Sequence, residues 1–141
     1  MIAYVMLGSN DIPTSRAFYD PLMHLIGAEP RAGASDKRVS YAQAGGMPIL
    51  ASTRPYDEAL AQAGNGVMVA FPVASRERVE EAYALALRLG AHDEGAPGVR
   101  SDQTIPSTAA TFATRWATSC VSAISTGPRR SRRSRAYESG D

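Results

Sequence analysis

Two apolar, strand-forming runs, each followed by a helical pattern, recur at one spacing, and that repetition constrains the fold more than any other feature. Tyr4 and Met68 stand 64 residues apart, and so do Tyr19 and Tyr83. A strand–helix unit met twice predicts two modules built on one plan. Residues 2–8, IAYVMLG, form a short run rich in β-formers and read as a buried strand. Asn10-Asp11 offers a helix cap, and Pro13 is tolerated at a helix start. Ala17, Phe18, Leu22, Leu25 and Ile26 then fall at helical spacing up to a stop at Gly27. Three short strands follow over residues 29–34, 38–44 and 47–53, separated by Ser35-Asp36 and Gly45-Gly46. The unit reads βαβββ.

A polar, small-residue linker over 54–66 precedes the second copy. Val67–Val73 is a strand, Ser75 a cap, and Arg76–Leu89 a helix with Val79, Ala82, Tyr83, Ala86 and Leu89 on one face, ended by Gly90. The expected fold is therefore α+β, with modules at 1–53 and 67–126 in one domain of 1–126. A chain of 141 residues suits one domain with a real core.

Composition divides the chain near Arg100. Residues 1–100 hold nine Lys/Arg against eleven Asp/Glu, and residues 101–141 hold six against three. All eight leucines lie before residue 101, whereas fourteen of the Ser and Thr lie after it. Residues 127–141 are basic and lack the apolar content to order themselves, so they read as a disordered tail. The run GPRRSRRSR could attract phosphate backbones, but it reads as a compositional by-product, and no nucleic-acid partner is expected. No apolar run reaches membrane-spanning length, no signal peptide is visible, and the single Cys120 fits a reducing compartment, so a cytoplasmic protein is expected.

The stretches YVMLGSNDIPTSRAFYD with LIGAEP, and GNGVMVAFPVASRERVEEAYALALRLGAHDEGAPG, together resemble the vicinal-oxygen-chelate superfamily of glyoxalases, bleomycin-resistance proteins and extradiol dioxygenases. The resemblance covers most of residues 1–98. It implies two βαβββ modules whose curved mixed sheets surround a cavity, commonly in a homodimer. Metal-binding members hold a divalent ion through the first strand of each module and a Glu near the chain end. Carried onto this chain, the first two positions are Tyr4 and Met68. A phenol ionises only near pH ~10, and a thioether suits soft metals, so neither is a good ligand for such an ion.

The third position has no visible counterpart in the chain as written. The superfamily's Tyr-Phe-Arg-Asp-Pro-Asp-Gly-Asn pattern is missing from RSDQTIPSTAATFATRWATSC. Read one base out of frame, codons for Ala110 through Cys120 encode Tyr-Leu-Arg-Asp-Pro-Met-Gly-Asn-Lys-Leu when suitable synonyms are chosen. That points to a frameshift near residues 98–101. The next shifted codon, spanning Cys120 and Val121, encodes Cys or Arg and never Glu. With the tail as written, the second module is expected to lack its last two native strands, with Thr108–Trp116 able only to pair as a makeshift strand.

These readings converge on a small-molecule-binding homodimer with no metal and no other cofactor. Its expected cavity residues are Tyr4, Tyr41, Leu50, Met68 and Phe71, apolar with phenolic donors. The alternative is a lyase or dioxygenase-type enzyme acting on a small oxygenated or aromatic substrate, with Tyr4 as a proton donor or with a divalent metal bound by groups that the sequence does not place. A ligand-free dimeric scaffold is a third reading. His24 is expected at the surface and His92-Asp93-Glu94 on alternating faces, and neither reads as a metal site.

Overall fold

Both helices start where a side chain can cap them. A computed structural model describes residues 2–100, 107–114 and 120–126. Helix α1 spans Ile12–Leu25, and the extended Asp11 before it accepts a bond from the Thr14 backbone N–H at 3.3 Å. Pro13 lies in the first turn, where its missing N–H is harmless. Pro21 lies inside the helix, where one helical hydrogen bond is lost. Burial of Phe18, Tyr19, Leu22 and Met23 holds α1 in place despite that loss. Gly27, at φ +80°, takes the left-handed conformation that ends the helix region. Helix α2 spans Arg76–Arg88 and is capped by Ser75, whose hydroxyl accepts from the Arg78 N–H at 3.3 Å. The two caps repeat the 64-residue offset.

The strands complete the repeat. The first sheet has β1 (Val5–Gly8), β2 (Ala28–Pro30), β3 (Arg38–Gln43) and β4 (Pro48–Thr53) in the order β1-β4-β3-β2. The second has β5 (Met68–Pro72), β6 (His92–Arg100), β7 (Ser107–Ala113) and β8 (Cys120–Thr126) in the order β5-β8-β7-β6. In each sheet the module's first strand pairs in parallel with its last, and the other pairs are antiparallel. The architecture is α+β, two βαβββ modules with mixed four-stranded sheets, as expected from the sequence.

Register decides which side chains enter the core. Val5 lies beside Leu50, which pairs with Tyr41, and Leu7 lies beside Ser52, which pairs with Val39. Val5, Leu7, Val39, Tyr41 and Leu50 pack with Phe18, Tyr19, Leu22 and Met23 of α1. Alternation turns Met6, Ala51 and Ser40 to the other face. In the second module Val69, Phe71, Ala110 and Phe112 face the core with Val79, Ala82 and Ala86 of α2. Phe18 of α1 meets Phe112 of β7 edge to face, with ring centroids 6.3 Å apart, so one core runs through both modules.

The structure departs from expectation in two places. Strand β2 stops at Pro30, and residues 31–37 form an exposed loop. The second sheet also has all four strands, contrary to the expected loss of its last two. STAATFA alternates so that Ala110 and Phe112 point inward, and its small, β-branched residues fit a pleated surface. The expected basic tail, 127–141, lies outside the described residues. Among the described residues, no helix is long and apolar enough to cross a membrane.

Candidate functional site

The faces turned away from the helices carry the two positions that the superfamily uses for metal. Tyr4 immediately precedes β1 and is 41% exposed, and Met6, two residues on, is 49% exposed. Met68 opens β5 and is 59% exposed. Both β1 and β5 are edge strands, and no ladder joins them to each other. Tyr4 and Met68 thus sit at equivalent places on two open faces.

Three of the five expected cavity residues lie elsewhere. Tyr41 and Leu50 are fully buried and Phe71 nearly so, all on the helix side of their sheets. They fill the core rather than the open faces. Tyr41 also has a fixed polar partner, since its hydroxyl donates to Asp20 Oδ1 at 2.7 Å. Asp20 Oδ2 in turn accepts from Arg16 at 3.2 Å. Burial, followed by the bond to the Asp20 carboxylate, pushes the Tyr41 phenol far above its ordinary pKa. Burial likewise raises the Tyr19 phenol, with the facing Thr114 side chain pulling weakly the other way.

The donor set does not suit a hard or borderline divalent metal. Tyr4 and Met68 hold the two first-strand positions, and the Cα register puts Cys120 beside Met68. Cys120 is where the shifted-frame reading locates the third ligand. Among the described residues, no three or more His, Cys, Asp or Glu come together as a metal site. His24 is exposed and its Nδ1 is hydrogen-bonded to Glu29. Asp93 Oδ1 accepts from the Gly95 N–H at 2.8 Å, and its carboxylate raises the Tyr83 phenol pKa, second to burial.

Sequence reasoning missed a cleft beside the linker. It has a volume of about 600 Å³, and its walls include Ser9, Asn10, Lys37, Thr53, Arg54 and Leu60. Asn10 anchors the linker across it: Nδ2 donates to the Ala61 carbonyl at 3.1 Å, and the Ala61 N–H donates to Oδ1 at 2.7 Å. The linker's small, polar composition gave no sign of this wall. The readable signal was a basic residue at the outer end of each strand of a hairpin, Lys37 and Arg54.

Solved structures share this architecture. A glyoxalase/bleomycin resistance protein from Albidiferax ferrireducens T118 superposes with a TM-score of 0.79 at 27% identity, over 89% of this chain and 98% of that one. A glyoxalase-related enzyme from Fulvimarina pelagi matches at 0.68 and 15% identity, over 89% and 88% of the two chains. A glyoxalase/bleomycin resistance protein/dioxygenase family enzyme from Burkholderia phytofirmans PsJN matches at 0.66 and 16%, over 88% and 97%. The chain has the vicinal-oxygen-chelate fold, in agreement with the resemblance in its sequence. No protein-family model and no curated protein matches it.

Proposed function

We propose that this protein is a metal-free, small-molecule-binding member of the vicinal-oxygen-chelate superfamily, acting as a cytoplasmic homodimer. The observation that carries this reading is the pair Tyr4 and Met68, a phenol and a thioether at the two equivalent first-strand positions. Both are exposed, and Met6, two residues from Tyr4 on the same face, is exposed as well. Such a surface recognises a ligand by shape, with a phenolic hydroxyl to orient an oxygenated or aromatic group.

Edge chemistry supports self-association. β2 carries Glu29 and Pro30, and β6 carries His92, Asp93, Glu94 and Arg100, which discourage further pairing. β1 and β5 carry no charged residue, with Pro72 only at the last position of β5, and Met6 and Met68 are exposed on them. Uncharged apolar edges invite a partner.

Metal analysis of the purified protein, with sedimentation and a thermal-shift panel of small aromatic and oxygenated compounds, tests the proposal. The expected result is a dimer with negligible divalent metal, stabilised by at least one compound through linked binding. About one tightly bound divalent ion per chain would refute the metal-free reading, since such an ion would supply the Lewis acid that a lyase or dioxygenase needs. A monomer would refute the dimer, and no thermal response would leave a scaffold role in place of binding.

A further inference from the structure

At the outer end of the first sheet two cations face each other. Arg38 pairs with Thr53 in the β3–β4 ladder, so the next positions outward are Lys37 and Arg54. The Arg54 N–H donates to the Lys37 carbonyl at 2.9 Å, and the Thr53 hydroxyl donates to the same carbonyl at 3.2 Å. Like charges directly opposite on an antiparallel pair destabilise it. Among the described residues neither Lys37 nor Arg54 forms a salt bridge. The Arg54 charge acts weakly on the Asp11 carboxylate, which already caps α1 through Thr14.

Both side chains line the cleft of about 600 Å³, a volume suited to a small molecule. Tyr56, Ala59 and Leu60 form an exposed apolar rim, and Glu58 is the carboxylate among the lining residues. Lys37 and Arg54 less Glu58 leave one net positive charge. The linker wall is held, not slack: Asn10 makes two bonds to Ala61, and Glu58 takes a left-handed φ of 61° that non-glycine residues seldom adopt.

We infer that this cleft binds a small organic carboxylate, its charge set between Lys37 and Arg54 and its apolar part against Tyr56 and Leu60. A monoanion fits the single net positive charge, whereas a phosphate dianion would meet Glu58 with charge to spare. The site lies at the far end of β1 from Tyr4, about 16 Å along the strand, and does not rest on the reading of the open faces.

Calorimetric titration with benzoate, benzyl alcohol and inorganic phosphate tests it. Benzoate is expected to bind, with benzyl alcohol and phosphate each about tenfold weaker or more, the scale of one charge-assisted hydrogen bond. Lys37→Gln and Arg54→Gln should each weaken benzoate about tenfold. Lys37→Gln should also raise the ligand-free melting temperature, because it relieves the cation pair; a merely structural lysine would lower it. Failure of benzoate to bind, equal affinity for benzyl alcohol, or unchanged affinity in both variants would overturn the site. Phosphate binding as tight as benzoate would overturn the assignment to a monoanion. A fall in the ligand-free melting temperature of Lys37→Gln would overturn the frustrated pair on which the inference stands.

Discussion

Replacing Tyr41 by Phe separates its role in the core from a role in ligand binding. The substitution removes one hydroxyl that donates to Asp20 Oδ1 at 2.7 Å and leaves the ring in place. Hydrogen bonds to charged acceptors contribute roughly 1.5–3 kcal/mol. Asp20 keeps its bond to Arg16, and its side chain is one-third exposed, so no charge is stranded in a dry interior. The expected loss therefore lies at the lower end, about 1.5 kcal/mol, or a melting temperature lower by roughly 5 °C for a domain of this size. Urea unfolding at neutral pH would read it as a lower midpoint at constant slope. The alkaline limb adds a second readout. The raised folded-state pKa of Tyr41 means that, above pH ~10, the unfolded chain loses a proton that the folded chain keeps. Stability is thus complete below pH ~10 and falls above it, by up to about 1.4 kcal/mol per pH unit for each such phenol. Tyr41→Phe removes one of these contributions and leaves that of Tyr19, so its alkaline limb should be shallower than that of the parent. A loss below about 0.5 kcal/mol, an unchanged alkaline slope and a large change in ligand affinity would refute the core placement.

Phe112→Ala should cost about 3–5 kcal/mol and weaken both modules in a single transition, because Phe112 is buried against Phe18 of the other module; two separate calorimetric transitions in the parent would contradict the shared core. Ser75→Ala should cost about 1 kcal/mol through the lost bond to the Arg78 N–H, whereas Ser75→Asp should cost little, both read by urea midpoints. Sequencing the coding DNA through codons 95–125 should reveal the one-base frame displacement near residues 98–101, and the repaired chain should melt higher; an intact frame encoding residues 100–130 as written would refute the frameshift.

The repeated architecture was legible because local chemistry and spacing agree in both halves. Asp11 and Ser75 cap, Gly27 and Gly90 follow the helices at positive φ, and the apolar stripes of α1 and α2 lie between them. Which face of each strand meets the helix was less legible, because it depends on pairing between distant segments. Leu50 enters the core because it is in register with Val5 and Tyr41. Part of this was available from parity alone: Met68 and Phe71 are three residues apart on one strand and must point to opposite faces. Both were expected to line one cavity, but alternation sends their side chains to opposite faces of β5. The tail misled for another reason. Its departure from the superfamily motif was read as loss of structure, yet small and β-branched residues pair adequately whatever their origin. The linker cleft depends on Asn10 reaching Ala61 across 51 residues, a contact that no local pattern announces.

Strand order has a consequence for synthesis. In the second sheet β8 lies between β5 and β7, so the final described strand occupies an interior position. A nascent chain that has emerged only through Ala113 can form the first sheet entirely, but β5 then has no hydrogen-bonded neighbour within its own module. The interval before β8 appears leaves the uncharged β5 and the inner edge of β7 both unpaired, the species most prone to wrong partners. Ribosome pausing, early release or chaperone capture within that interval would therefore lower the yield of folded protein, as would the same events before β4 completes the first sheet.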